Sequence, residues 1–345
     1  MATIKEVAKV SGVSVATVSR VLNNTAPVNA ETRKRIEAVI KELDYTPSMI
    51  ARGMRKQQSQ ILAVIIPDYD NPYHIKLYKH IEEEAKQYGY RLILICMQEH
   101  QASEYKSIME LMTRNVDGII LSTYQGNKKE IKEIIKLSKS IPIVFMDNFE
   151  FDEEINAVYI NDYQGMKEII EHVIALGHKN IGYIDKIVGY KVANERRKSY
   201  EDTLRNHAIA INKQLIYAGN YGINSGYEAA RYFMEETIVT PTAIIASNDA
   251  MAVGVLGYLR EHGYDIPRDV VVTGFDDIYL SKITVPPLTT YRQPLGRVAK
   301  EVIEVLHNKI KMIGAPPQKR MIEGKLIARG STDASCKEKV FPIKE

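Results

Sequence analysis

The chain is 345 residues long, 45% hydrophobic and 26% charged, with two cysteines and a formal net charge of +3. That length calls for two or three domains around a sizeable core, and no run of apolar residues is long enough to span a membrane. MATIKEVAKV places Lys and Glu where a secretory leader needs apolar residues, and Cys96 and Cys336 form no disulfide framework, so a reducing cytoplasm is expected.

The charge is uneven. Residues 1–60 carry ten Lys and Arg against five Asp and Glu, a balance of +5, which leaves −2 on the remainder. A basic head on a near-neutral body points to a polyanion partner for the head alone.

Thr3-Ile4-Lys5-Glu6 has capping-box spacing, and Ile4, Val7, Ala8 and Val10 give the short helix it opens an apolar face. Gly12 permits a turn, and Ser14 can cap a second helix over Val15–Asn23. Val18, Val21 and Leu22 share the inner side of that helix, leaving Val15, Ala16, Thr17, Ser19, Arg20 and Asn23 outside. Asn29 can cap a third helix, Ala30–Leu43, whose Ile36, Val39, Ile40 and Leu43 close a small core. Two short helices joined at a glycine make the helix-turn-helix pattern, which seats the outer side of the second helix in a major groove. There Arg20 can read a guanine edge or clamp a phosphate. Thr17 and Ser19 can bond phosphates or bases, and Val15 and Ala16 can touch thymine methyls. The plain alternative is a three-helix bundle with a polar surface; spacing, capping and charge together favour DNA.

TIKEVAKVSGVSVATVSRVLN, followed by VNAETRKRIEAVIKELDYTPSMIAR, closely resembles the headpiece of the lactose-repressor family of bacterial transcription regulators. The resemblance implies that residues 1–46 are a DNA-binding headpiece, adding Ser14, Thr32 and Tyr45 to the contacts above. It implies that residues 47–58 are a hinge that turns helical on operator DNA and enters the minor groove paired with its copy in a homodimer. Ser48, Ala51, Met54, Arg55 and Lys56 then join the DNA-contacting set, with Met54 as the wedge where the family usually has leucine. Pro47 suits the first position of that helix. Gly53, at about 1 kcal/mol against alanine, helps keep the segment unfolded without DNA.

From Ile61 the pattern changes. ILAVII, RLILIC, GIIL and PIVFM read as buried parallel strands, with helices near 73–88, 102–115 and 128–139. NIGYI, LIYAG, TAIIAS and DVVVTGF form a second series, with helices near 162–176, 193–207, 224–236 and 249–262. The fold class is therefore an α-helical helix-turn-helix headpiece followed by an α/β sensor of two doubly wound lobes. Ligands in such folds lie beyond the carboxyl ends of the strands.

The residues there are Asn71, Tyr73 and His74 in NPYH, Asp147 after FM, Arg196 in NERRKSY and Tyr221 after AGN. Asn248 after IAS, Asp276 in GFDD and Gln293 in YRQP complete the set. Carboxylates, amides, one guanidinium and aromatic faces suit a polyhydroxylated or otherwise hydrogen-bonding small molecule. Taken singly, each has a plainer reading as a cap, a surface ion pair or rim packing; their common location at strand ends favours a site.

This body resembles the periplasmic sugar-binding fold used as the sensor in the same family. The resemblance implies an effector-binding and dimerisation domain over 59–335, with the chain crossing three times between lobes. The N-lobe would hold about 60–160 and 292–322, and the C-lobe about 161–291 and 323–335. It also implies ligand contact for the nine residues just named. PPLTT and LIARGST match its closing segments, and 336–345 reads as a charged tail. Asn148 replaces an arginine common in sugar responders and His74 replaces an aromatic, which points away from a simple hexose or pentose.

No phosphate-binding loop, nucleophile elbow or metal-ligand spacing is present, so neither catalysis nor a cofactor or metal is expected. The expected protein is a cytoplasmic, nucleoid-associated bacterial repressor. It would bind a palindromic operator as a homodimer, under control of a sugar-like or other polar effector and without a membrane partner. Two rivals remain at this level. One is control by a phosphorylated carrier protein, for which DDIYLSKITVPPLTT offers Lys282 but no arginine; the other is a plain small-molecule binding protein, which the headpiece argues against.

Overall fold

The computed structural model describes residues 2–23, 26–45, 59–97, 104–113, 115–122, 128–146, 155–186, 191–312 and 314–336, and the chain divides after Gln60 into two compact units. The first unit holds α1 (Ile4–Val10), α2 (Val15–Asn23) and α3 (Ala30–Glu42). Each helix start is satisfied by its own side chain. Glu6 N donates to Thr3 Oγ1 at 3.3 Å while Thr3 N donates to the Glu6 carboxylate at 2.7 Å. Thr17 N donates to Ser14 Oγ at 3.2 Å, and Glu31 N to Asn29 Oδ1 at 2.9 Å. Gly12 turns the chain between α1 and α2 at φ +65°, a conformation that favours glycine. Val7, Ala8, Val18, Val21, Ile36 and Val39 form the core, a small one, so each buried valine or isoleucine, worth roughly 1.5–3 kcal/mol, is a large share of it.

Among the described residues the second unit contains two six-stranded sheets. The first takes β1 (Ile61–Ile66), β2 (Arg91–Cys96), β3 (Gly118–Leu121), β4 (Ile143–Phe145) and β5 (Asn156–Ile160), linked by α4 (Pro72–Gln87), α5 (Glu104–Thr113) and α6 (Lys128–Leu137). The second takes β6 (Ile181–Lys186), β7 (Ile216–Gly219), β8 (Ala243–Ala246) and β9 (Val271–Asp276). Its helices are α7 (Asp162–Ala175), α8 (Lys191–Asn206), α9 (Ile223–Glu235) and α10 (Asp249–Glu261). After the short α11 (Leu280–Ile283), β10 (Thr289–Arg292) joins the second sheet. Helix α12 (Leu295–Lys311) and β11 (Lys319–Ile322) return to the first, and β12 (Lys325–Ile327) to the second.

The strand orders are β11-β5-β4-β3-β1-β2 and β12-β10-β9-β8-β6-β7. Every ladder is parallel except β10 with β12. β1, β3 and β4 are buried on both faces, which is why they read as unbroken apolar runs; β2 lies at an edge and alternates. The order reverses at β1/β3 in one sheet and at β6/β8 in the other, the switch points where α/β sheets open a crevice.

Chain passages between the sheets follow β5, β10 and β11. They are packed tightly around Tyr291. A Cβ on Gly165 would come within 2.7 Å of the Tyr291 ring, and one on Gly324 within 2.2 Å of the Arg292 carbonyl. Gly324 N donates to Tyr291 Oη at 2.8 Å.

Candidate functional site

On α2, Ser14, Ala16 and Arg20 are exposed, Thr17 and Ser19 are partly exposed, and Val18 and Val21 fix the opposite side in the core. Val15, expected to face outward, is half-buried and packs against that core, so only part of it remains for contact. The Thr17 hydroxyl lies 2.9 Å from that of Ser14, which joins two candidate phosphate donors. No acidic residue stands in the first turn of α2, leaving its positive dipole end open to a polyanion. Thr32, in the first turn of α3, and Tyr45, after it, are both half-exposed. Asn23 ends α2, but its side chain and the hinge candidates Ser48, Ala51, Met54, Arg55 and Lys56 lie outside the described residues.

In the second unit the carboxyl ends of the two sheets line one cavity of about 60 Å³. Eight of the nine expected residues reach it: Asn71, Tyr73 and His74 from the first sheet's side; Arg196, Tyr221, Asn248 and Asp276 from the second; and Gln293 from a passage between them. Asp147 lies outside the described residues. A larger cavity of about 660 Å³ adjoins it, sharing Asn71 and Tyr221 and flanked by Asp68, Asp70, Tyr69 and Tyr279.

Helix starts place several of these groups. Asn71 caps α4, its Oδ1 accepting from Tyr73 N at 3.1 Å; Pro72 fixes the first turn, and Tyr73 and His74 follow in it. Asn248 caps α10 through Met251 N at 3.0 Å and donates to the Tyr221 carbonyl at 3.0 Å. Much of its amide is thereby committed to shaping the site. Tyr221, Asp276 and Asp277 hold positive φ of +68°, +118° and +56°, strain of about 1–3 kcal/mol each that the surrounding fold must sustain.

Arg196 is the electrostatic centre. Its Nε donates to Asp162 Oδ1 at 2.8 Å with Nη2 2.7 Å from the same oxygen, Nη1 donates to the Ser247 carbonyl, and the guanidinium lies 3.7 Å over the Phe275 ring. Asp276 Oδ1 is 3.9 Å from Nη2 and accepts from Gln293 Nε2 at 2.7 Å. Burial pushes the Asp276 carboxyl up to about 7 against the pull of Arg196 and Gln293. Burial, reinforced by the charge of Lys186, pulls the His74 imidazole down to about 3, so it is neutral at physiological pH. The neighbouring carboxylate, Asp277, serves the fold instead, accepting from Arg329 Nη2 at 2.7 Å and Arg292 Nε at 2.5 Å.

Asp162, Ser122, Met146 and Ile160 also line the cavity and were not anticipated. Nor was Lys186, 5% exposed, whose Nζ sits 4.7 Å from the Tyr221 ring centre. Among the described residues no group of three His, Cys, Asp or Glu is placed to hold a metal. No helix among them is long and apolar enough to cross a membrane.

Residues 3–48 match the family described as bacterial regulatory proteins, lacI family, and residues 170–332 match the periplasmic binding protein-like domain. The chain is 30% identical to the ribose operon repressor of Escherichia coli K12 over 331 residues, covering 96% of this chain and all of that one. It is 32% identical to catabolite control protein A of Priestia megaterium over 311 residues, covering 89% and 93%. Among solved structures, the lac repressor dimer bound to operator and the anti-inducer ONPF superposes with a TM-score of 0.86 at 26% identity, covering 96% and 99%.

Proposed function

Since the chain belongs to the lacI family of bacterial regulatory proteins, we propose that it represses transcription by binding a palindromic operator as a homodimer, with a small polar effector in the interlobe cleft setting its affinity. The headpiece would be 1–46, the hinge 47–58 and the effector-binding domain 59–335, with Ser14, Ala16, Thr17, Ser19 and Arg20 at the major groove. The observation that carries the effector reading is convergence. Eight residues from six separate stretches, chosen from the segments that follow the strands, meet at one cavity whose walls come from both sheets.

The arrangement suits a hydrogen-bonding metabolite with several hydroxyl or amide groups. Asp276 accepts, Arg196 donates from a fixed fork, and Tyr73 and Tyr221 offer ring faces. A ligand that prefers one arrangement of the lobes shifts the population toward it, and operator affinity changes by the same coupling free energy. The sign follows from which arrangement the ligand prefers.

Selection of random duplexes by the full-length protein should return inverted repeats. A thermal-shift panel of sugars, sugar acids, sugar phosphates, nucleosides and purines should yield a ligand that stabilises the wild type and not Asp276→Ala. Duplexes without two-fold symmetry would refute the dimeric operator, and equal stabilisation of both proteins would refute the cleft assignment.

A further inference from the structure

The two sheets are already joined by polar groups across the cleft. Tyr73 Oη, on the first turn of α4, donates to Gln293 Oε1 at 3.0 Å. Gln293, at the passage from β10 to α12, donates through Nε2 to Asp276 Oδ1 at 2.7 Å. Asp276 ends β9 in the other sheet. Each donor in this chain faces an acceptor, and its polarity matches an ionised Asp276. We propose that this relay is an interlobe latch, in which Tyr73 is a positioning residue that tethers Gln293, and with it the passage between lobes, to the first sheet.

Two observations bear on it, and one consequence follows. Gln293 is 5% exposed and Asp276 6%, so water competes poorly for these bonds. The passage that carries Gln293 continues from Tyr291, against which Gly165 of the first passage packs and to which Gly324 of the third donates, so the three passages are held against one another. Finally, an effector hydroxyl that bonds Asp276 Oδ1 would compete with the Gln293 amide for that oxygen, which would link ligand arrival to the passages. That last step rests on the cleft being the effector site; the latch itself does not.

The bond from an amide to a carboxylate is charge-assisted, so the latch is tighter when Asp276 is ionised. The charged and titratable groups around that carboxyl are Arg196 on α8, Asp162 on α7, Asp249 on α10 and Tyr221 after β7. From the first sheet's side come Tyr73 and the neutral His74.

Peptide-resolved amide hydrogen exchange on the full-length chain, with no ligand added and rates corrected for intrinsic chemistry between about pH 6 and 8, reads the latch directly. Tyr73→Phe should speed exchange around 157–162, 290–296 and 321–326 by roughly three- to ten-fold at the upper pH, the worth of one neutral hydrogen bond. Exchange in the wild type should slow as Asp276 ionises, and Tyr73→Phe should flatten that dependence. Gln293→Met should affect the same peptides. Tyr90→Phe removes a comparable bond inside one lobe, from Tyr90 Oη to His307 Nδ1 at 3.1 Å, and should leave them unchanged. Unchanged exchange in Tyr73→Phe, or an equal rise in Tyr90→Phe, would overturn the proposal. Since no effector is present, a failed effector screen leaves this result standing, and a failed latch leaves the effector reading standing.

Discussion

Arg20 and His74 show how differently single residues act in this chain. Arg20 is exposed on α2, while Val18 and Val21 hold the helix from behind, so truncating it removes a contact and not a support. Arg20→Ala should weaken operator binding by about 1–3 kcal/mol, the range for a guanidinium reading a base, with an unchanged far-ultraviolet circular dichroism spectrum. Fluorescence anisotropy at fixed salt checks this; unaltered affinity would remove Arg20 from the interface. His74 acts through stability. Its imidazole titrates near 6.5 when unfolded but about 3 when folded, so the unfolded chain takes up the proton first. Stability conferred by this group is complete above about pH 6.5 and falls as pH drops toward 3, by up to about 1.4 kcal/mol per unit. His74→Gln should therefore lose less stability between pH 7 and 5 than the wild type in urea unfolding, and parallel losses would contradict the account. The cleft residues that the sequence disclosed were those immediately after apolar strands or in short distinctive runs such as NPYH and GFDD. Asp162 and Lys186 escaped notice because their local surroundings, NDYQG and YIDK, read as an ordinary helix start and a polar strand end. Their partners are distant in sequence: Arg196 pairs with Asp162, and the Tyr221 ring lies beneath Lys186.

At the scale of elements, most of the architecture follows from local pattern. Capping residues start α1, α2 and α3 where Thr3, Ser14 and Asn29 stand, and the doubly buried strands appear as apolar runs. Helix α12 has plain helical spacing, with Val298, Val302, Val305 and Leu306 inward, yet nothing local says that it returns to the first sheet. That return depends on the passages around Tyr291, a long-range arrangement that periodicity does not encode. Gly165→Ala tests the close packing there. An added methyl would meet the Tyr291 ring at 2.7 Å, and overpacking of this kind typically costs about 1–3 kcal/mol. Denaturant unfolding should show that loss for Gly165→Ala and little for Gly257→Ala, where a Cβ meets nothing within 4 Å. Equal stabilities would mean that the passage yields easily.

For the whole molecule, the charge division is the clearest statement made by the sequence. A head at +5 and a body at −2 assign the polyanion to one unit and leave the other free to recognise a neutral or mixed-charge metabolite. The two tasks become one function only if ligand in the cleft alters DNA binding. The measurement is a titration of full-length protein against its selected operator with and without the ligand found by thermal shift, alongside Asp276→Ala. Ligand should change wild-type operator affinity by roughly five- to 150-fold, operator should change ligand affinity by the same factor, and the variant should bind operator without responding. A ligand that binds the cleft while operator affinity stays constant would contradict that coupling.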